Sequence, residues 1–91
     1  MPDTDHVKGK VIVVTGGGGG FGRLISQQAG SRGAKMVCAD INDAAAEETA
    51  ALVRDAGGEA VSMKADVTSP EEMMALAAKA VDTYGAIDVM I

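Results

Sequence analysis

Aromatic residues are almost missing from this sequence, which holds one Phe, one Tyr and no Trp among its 91 residues. Its hydrophobic core must therefore be aliphatic, built from Val, Ile, Leu, Ala and six Met. Cations are also in the minority, with 8 Lys and Arg against 13 Asp and Glu, giving a net charge of −5. This balance argues against nucleic acid or an anionic membrane surface as a partner. An anionic cofactor is still allowed, because helix N-termini bind phosphate without Lys or Arg.

Cysteine is nearly absent too. The single Cys38 excludes an intrachain disulfide and suits a reducing cytosol, which predicts a cytoplasmic location. It lies in the apolar run 36–39, where a buried structural thiol is expected. No apolar run approaches the roughly 18 residues of a membrane span, and the polar start is not a signal peptide. The only histidine, His6, falls in a leader predicted for residues 1–8 and has no second ligand nearby, so no metal site is predicted.

Glycine, in contrast, is concentrated in one place: six of the seven residues from Gly16 to Gly22 are glycine. The run follows the apolar segment 11–14 and opens an amphipathic stretch at Phe21. Glycine allows a tight turn, positive φ and close approach to the backbone. At a strand-to-helix junction it also leaves N–H groups facing a crevice, which suits a phosphate. A flexible linker is the alternative, but a linker is not expected between a buried strand and a helix.

Strand and helix patterns alternate along the whole chain. Apolar runs predict buried strands, and caps and glycines mark the helix ends. The predicted elements are, in chain order, strand 10–15, helix 21–32, strand 35–40, a helix capped by Asn42 or Asp43 and ended by the glycines at 57–58, strand 59–65, helix 70–84 and strand 87–91. Such alternation predicts an α/β fold with a parallel sheet in the order third, second, first, fourth. The first two helices should cover one face of the sheet and the third helix the other.

Helical spacing predicts which side chains face the sheet. In the first helix these are Phe21, Leu24, Ile25 and Ala29; in the second Ala45, Thr49, Leu52, Val53 and Ala56; in the third Met73, Ala77, Ala80, Val81 and Tyr84. The third strand alternates apolar and polar residues, which is typical of an edge strand. Before the third helix, Ser69 to Glu72 supplies an N-cap, a proline at the first helical position and a capping-box glutamate.

The glycine turn fits more than one motif. Gly17, Gly19 and Gly22 match G-x-G-x-x-G, whereas Gly16, Gly20 and Gly22 match T-G-x-x-x-G-x-G. A nucleotide triphosphatase loop would need Gly-Lys-Ser/Thr where this chain has Gly-Arg-Leu, so that interpretation fails.

Acidic residues end the next two strands. Asp40 follows Gly22 by 18 residues, where a carboxylate would accept hydrogen bonds from ribose hydroxyls. It would repel a 2′-phosphate, and neither Gly19 nor the residues after Asp40 are basic, which favours NAD over NADP. Asp66 could accept from an adenine amino group while Val67 lines the adenine pocket. The alternative for both aspartates is a plain turn or capping role.

Together these residues resemble the short-chain dehydrogenase/reductase family. The matching pieces are Thr15-Gly-x-x-x-Gly-Phe-Gly22, Asp40, Asp66-Val67 and the passage 84–91. The resemblance implies a partial Rossmann-type sheet in residues 9–91 that binds NAD for hydride exchange with an alcohol or ketone. It also implies where the cofactor lies. Gly16, Gly19, Gly20, Phe21 and Gly22 would follow the pyrophosphate and adjoining ribose, Asp40 and Ile41 the adenosine ribose, and Asp66 and Val67 the adenine.

The chain also departs from that family. The family's Asn-Asn-Ala-Gly turn, its serine and its paired tyrosine and lysine have no counterpart here, since Asp88 stands four residues after the only tyrosine, Tyr84. The resemblance thus implies a truncated cofactor-binding segment that is inactive alone. With its last strand unpaired at the sheet edge, we expect it to be poorly stable as a monomer or to form homo-oligomers through that edge.

Two other classes of function remain open from the sequence. An S-adenosylmethionine-binding, methyltransferase-like domain would also use a glycine turn, read here as Gly16, Gly18 and Gly20, and acidic strand ends. A non-catalytic module that binds nucleotide or a second copy is the other, because no general acid or base is placed for proton transfer.

Overall fold

A computed structural model describes residues 7–91 of the chain. In this range strands and helices alternate as β1 (Val11–Thr15), α1 (Gly20–Ser31), β2 (Lys35–Asp40), α2 (Asp43–Asp55), β3 (Glu59–Lys64), α3 (Pro70–Tyr84) and β4 (Val89–Met90). The predicted order of elements is confirmed. The main difference in bounds is β4, which has two residues instead of five. The His6 assignment and residues 1–6 of the predicted leader lie outside the described range.

The four strands form one parallel sheet in the order β3-β2-β1-β4, as predicted. The residues on either side of β4 form hydrogen bonds with β1. The Asp88 carboxylate accepts a hydrogen bond from Val11 N at 2.8 Å. The backbone N and the hydroxyl of Thr15 donate to the Ile91 carbonyl at 2.8 and 2.7 Å. The chain therefore reverses its winding direction between β1 and β4, which places a switch point beside the end of β1.

Each face of the sheet has its own hydrophobic cluster, which confirms the predicted division of the helices. The α1 and α2 side is lined by Ile12, Val14, Ala34, Met36, Cys38, Ala50, Val53 and Ala60. The α3 side is lined by Val11, Val13, Val37, Ala39, Ala65, Leu76 and Ala80. Cys38 is buried, as expected, with its thiol donating to Ser26 Oγ at 3.6 Å, and burial raises the pKa of this thiol.

The predicted buried face of α1 is partly wrong. Phe21 and Leu24 are 76% and 51% exposed, and Ile25 and Ala29 are only partly buried. The buried residues are instead small ones, spaced four apart: Gly22, Ser26 and Gly30. Small side chains let the helix backbone lie close to the sheet, so the larger residues beside that stripe remain at the surface.

In α2 and α3, too, the residues that are buried differ in part from those that the sequence predicted. In α2 the fully buried residues are Ala46, Thr49, Ala50 and Val53, whereas Leu52 and Ala56 are exposed. In α3 they are Leu76 and Ala80, and Val81 is exposed. For α2 a close approach to glycine contributes, since a Cβ on Gly30 or Gly58 would come within 2.6 or 2.9 Å of Val53 Cγ1.

This contact gives a first prediction. Gly30→Ala should lower the free energy of unfolding by about 2 kcal/mol, because the new methyl overlaps Val53. In a Val53→Ala background the same change should cost nothing or stabilise the helix by up to about 1 kcal/mol, the usual gain from Gly to Ala. Chemical denaturation of the four variants measures both values. Equal costs in the two backgrounds would show that Val53 does not set the helix distance.

No helix in the described part of the chain has the length and apolar character needed to cross a membrane. Among residues 7–91, no cluster of His, Cys, Asp and Glu side chains could hold a metal ion.

Candidate functional site

A cleft of about 200 Å³ opens where β1, β2 and β3 end, at the carboxyl edge of the sheet. It is lined by Gly16, Asp40, Ile41, Ala65, Asp66 and Val67. Five of these are residues that the sequence singled out. The strands run parallel, so their carboxyl ends come together although they are far apart in sequence. The other predicted residues, Gly19, Gly20, Phe21 and Gly22, lie in the adjoining turn and the start of α1.

The first part of the glycine turn is dictated by sterics. Gly16 has φ +68°, a conformation that other residues rarely adopt. A Cβ on Gly22 would lie 2.3 Å from the Gly16 carbonyl oxygen. The turn is further closed by hydrogen bonds from Gly17 N to the Ala39 carbonyl at 2.7 Å and from Gly19 N to the Gly16 carbonyl at 3.1 Å. Gly16 and Gly22 are thus required by the fold itself.

Gly19 and Gly20 have no comparable steric reason. Among the described residues, nothing lies within 4 Å of a Cβ built on Gly20, and on Gly19 it would make one ordinary contact of 3.6 Å. Gly19 is the N-cap of α1 and has no side chain to satisfy the helix N–H groups. The N–H groups of Gly20, Phe21 and Gly22 lie in the first turn of α1, where a helix provides no acceptor for them. Within residues 7–91, no backbone carbonyl outside the helix accepts from them either. Bare donors and the positive end of the helix dipole therefore face open space, as an anion site requires.

Asp40 turns its carboxylate toward the glycine turn. One oxygen accepts from Gly18 N at 3.0 Å and the other from Asn42 N at 2.9 Å. The N-cap of α2 is Asn42, whose side chain accepts from Ala45 N at 3.1 Å, so Asp40 itself is not the cap. A Cβ on Gly18 would meet the Ala45 Cβ at 2.5 Å. The turn, Asp40 and the start of α2 are therefore in direct contact.

Asp66 lines the same cleft from the end of β3 and also supports its own turn. One of its oxygens accepts from the backbone N and the hydroxyl of Thr68, at 2.9 and 2.7 Å. These bonds lower the pKa of the Asp66 carboxyl, the hydroxyl contributing most. Ser69 caps α3 by accepting from Glu72 N, as predicted, but the Glu72 carboxylate accepts from Asp66 N and not from Ser69 N. Glu72 thus fixes the backbone of Asp66 at the cleft.

Large apolar side chains flank the cleft. Ile41 and Val67 both line the cleft and are both exposed, so their apolar surfaces are open to a ligand. Tyr84, in contrast, packs against the core cluster under α3 and is not among the residues that line the cleft. Burial raises the pKa of Tyr84, which agrees with its interpretation as a structural residue.

Two residues that support the site were not among the predicted cofactor-binding residues. Gly18 is needed for the contact with Ala45, and Arg23 joins α1 to α2 through Thr49. Neither has a local signal: Gly18 is one glycine among six, and the Arg23 contact spans 26 residues of sequence.

A parallel sheet in this order, with a glycine turn at its switch point and acids at the next strand ends, defines the class of dinucleotide-binding α/β domains. Comparison with known families narrows the class. Residues 10–91 match the family model for short chain dehydrogenase, and the chain belongs to this family. This assignment decides against the methyltransferase-like alternative.

Individual relatives agree with the family assignment. The chain is 34% identical over 89 residues to 7alpha-hydroxysteroid dehydrogenase of Escherichia coli, covering 98% of this chain and 35% of that protein. A crystal structure of hydroxysteroid dehydrogenase from Escherichia coli matches with a TM-score of 0.93 at 33% identity, over 99% of this chain and 38% of the other. A short chain dehydrogenase/reductase from Burkholderia phymatum in complex with NAD matches with a TM-score of 0.89 at 36% identity, over 92% and 30%. The chain thus spans about a third of these relatives.

Proposed function

We propose that this chain is the NAD-binding part of an oxidoreductase that transfers hydride between NAD and an alcohol or ketone. The observation that carries the proposal is the Asp40 carboxylate, which is held against the glycine turn beside the bare backbone of Gly19 and Gly20. The relative in complex with NAD supports the choice of ligand. NAD, when bound, supplies the hydride chemistry, and the residues described here supply its binding and orientation.

In this proposal the diphosphate lies at the start of α1. The N–H groups of Gly20, Phe21 and Gly22 donate to its oxygens, and the helix dipole favours its negative charge. No Lys or Arg is needed, which fits a chain with net charge −5. Gly16 gives the turn its direction, and the absence of side chains at Gly19 and Gly20 lets the ligand approach the backbone.

The adenosine half lies in the cleft at the strand ends. Asp40 accepts from the ribose hydroxyls, with Ile41 beside the same sugar. Asp66 offers an oxygen to the adenine amino group, and Val67 packs on the ring. A 2′-phosphate would meet the Asp40 carboxylate with no compensating cation in Ile41 or Asn42, so NAD is preferred over NADP.

The chemical step needs groups other than those of the cleft. Tyr84 is held in the core and is not offered as an acid or base. We therefore propose that these 91 residues bind the dinucleotide and do not oxidise alcohols by themselves.

Calorimetric titration with NADH tests the proposal. We expect saturable heat with NADH and none with S-adenosylmethionine, which lacks the diphosphate for which the start of α1 is arranged. Adenosine should bind more weakly than NADH, because it occupies only the strand-end cleft. Heat with S-adenosylmethionine alone, or no heat with either ligand, would contradict the proposed function.

A further inference from the structure

Arg23 connects α1 with α2. Each of these helices follows one half of the candidate site: α1 follows the glycine turn, and α2 follows the strand end at Asp40 and Ile41. The Arg23 backbone N donates to the Gly19 carbonyl at 2.7 Å, at the start of α1. Its Nε donates to the hydroxyl of Thr49 on α2 at 3.0 Å, and a second guanidinium nitrogen pairs with Glu48 at 2.8 Å. Thr49 is completely buried, so its hydroxyl is held in a fixed position by the packing around it. Glu48 is 65% exposed, and such a pair contributes little.

The two helices that this contact joins carry different parts of the site. α1 presents the bare N–H groups of Gly20, Phe21 and Gly22, directly before Arg23. α2 begins at Asp43, immediately after the segment that holds Asp40 and Ile41. The Arg23 contact with Thr49 thus adds a second connection, besides the hydrogen bond from Gly18 N to Asp40, between the diphosphate donors and the segment that carries the ribose acid. It does so without occupying the cleft, because neither residue lines it.

We propose that Arg23 is a positioning residue for the dinucleotide site and acts through Thr49. This inference rests on the proposed function. Its consequence is selective. A ligand that spans both halves needs their distance to be correct, whereas adenosine, which occupies only the strand-end half, does not. Arg23 therefore matters for NADH and ADP-ribose and not for adenosine.

Affinity measurements on the intact protein test this selectivity. Arg23→Met keeps the length of the side chain and removes its donors, and Thr49→Val keeps its shape and removes the acceptor. Each should weaken NADH and ADP-ribose about tenfold, and the double variant should be no weaker than either single one. Adenosine affinity, followed by NMR titration, should change less than about twofold. The matched control Glu48→Gln removes the exposed ion pair and should leave all three affinities within about twofold.

The outcomes separate the possible roles of Arg23. An equal loss for adenosine would show that Arg23 only maintains the fold, and would overturn the inference. A loss in Arg23→Met without one in Thr49→Val would mean that the cation acts on the diphosphate directly, and would overturn it too. If Arg23→Met does not fold, Thr49→Val decides alone. Failure of the unaltered protein to bind NADH contradicts the proposed function and this inference with it. Unaltered affinities in both variants, with NADH bound by the unaltered protein, contradict only the inference.

Discussion

Replacing Gly22 with alanine is expected to lower the free energy of unfolding by about 3 kcal/mol, the upper end of the usual cost of overpacking. The new Cβ would lie 2.3 Å from the Gly16 carbonyl oxygen and 2.9 Å from both Gly16 C and Gly17 Cα. All three are backbone atoms of the turn, so the overlap cannot be relieved by rotating a side chain. Relief requires α1 to move away from β1, which opens the site. Urea denaturation followed by far-ultraviolet circular dichroism measures the loss in the free energy of unfolding.

Gly20→Ala is the matched control, because it adds the same methyl group two residues earlier. Among the described residues, nothing lies within 4 Å of its Cβ, so stability should be unchanged or higher by up to about 1 kcal/mol. Under the proposed function, NADH affinity should nevertheless fall, because the methyl occupies space that the diphosphate needs. Equal stability of the two variants would refute the steric account of Gly22. Native NADH affinity in Gly20→Ala would show that the ligand does not approach the backbone there.

Asp40→Ala is expected to weaken NADH binding by about 10- to 100-fold. That range corresponds to the ~1.5–3 kcal/mol typical of a hydrogen bond to a charged group. The change also removes the acceptor for Gly18 N and Asn42 N. NADPH should lose less, because the variant no longer repels a 2′-phosphate, so discrimination between the two cofactors should relax. Titration of both cofactors against both proteins measures the ratio.

Asp43→Ala serves as the control for Asp40→Ala. Asp43 is an exposed acid three residues further on, in the first turn of α2, so this variant makes the same change of net charge. It should leave the preference for NADH over NADPH intact. An unchanged preference in Asp40→Ala, or an equal change in Asp43→Ala, would remove Asp40 from the ribose and leave only its role in the turn.

Much of the fold could be predicted because strand burial and helix punctuation are local signals. The apolar runs of β1 and β2 and the terminating Gly33, Gly57 and Gly85 mark elements without reference to the rest of the chain. Parallel pairing and right-handed crossovers then reduce the possible strand orders to a few, among which the order third, second, first, fourth is common. The cleft followed from that order, because it brings the ends of β1, β2 and β3 to one edge.

Helix faces were harder to predict, for a physical reason. Periodicity identifies large apolar residues, but α1 approaches the sheet through Gly22, Ser26 and Gly30, which a hydrophobicity pattern does not mark as buried. The sequence also does not show which glycines are required by close neighbours and which are not. For Gly18 and Gly30 that distinction depends on Ala45 and Val53, which are distant from them in sequence.

The Asp40 carboxylate is held by Gly18 N and Asn42 N in the absence of a ligand, so this acid needs no rearrangement before it accepts a hydrogen bond. On the proposed function, we therefore expect a dinucleotide to associate without a slow rearrangement at Asp40. The association rate should then depend on diffusion and on electrostatic repulsion, because the dinucleotide is an anion and the chain has a net charge of −5. Added salt, which slows encounters between opposite charges, accelerates this one.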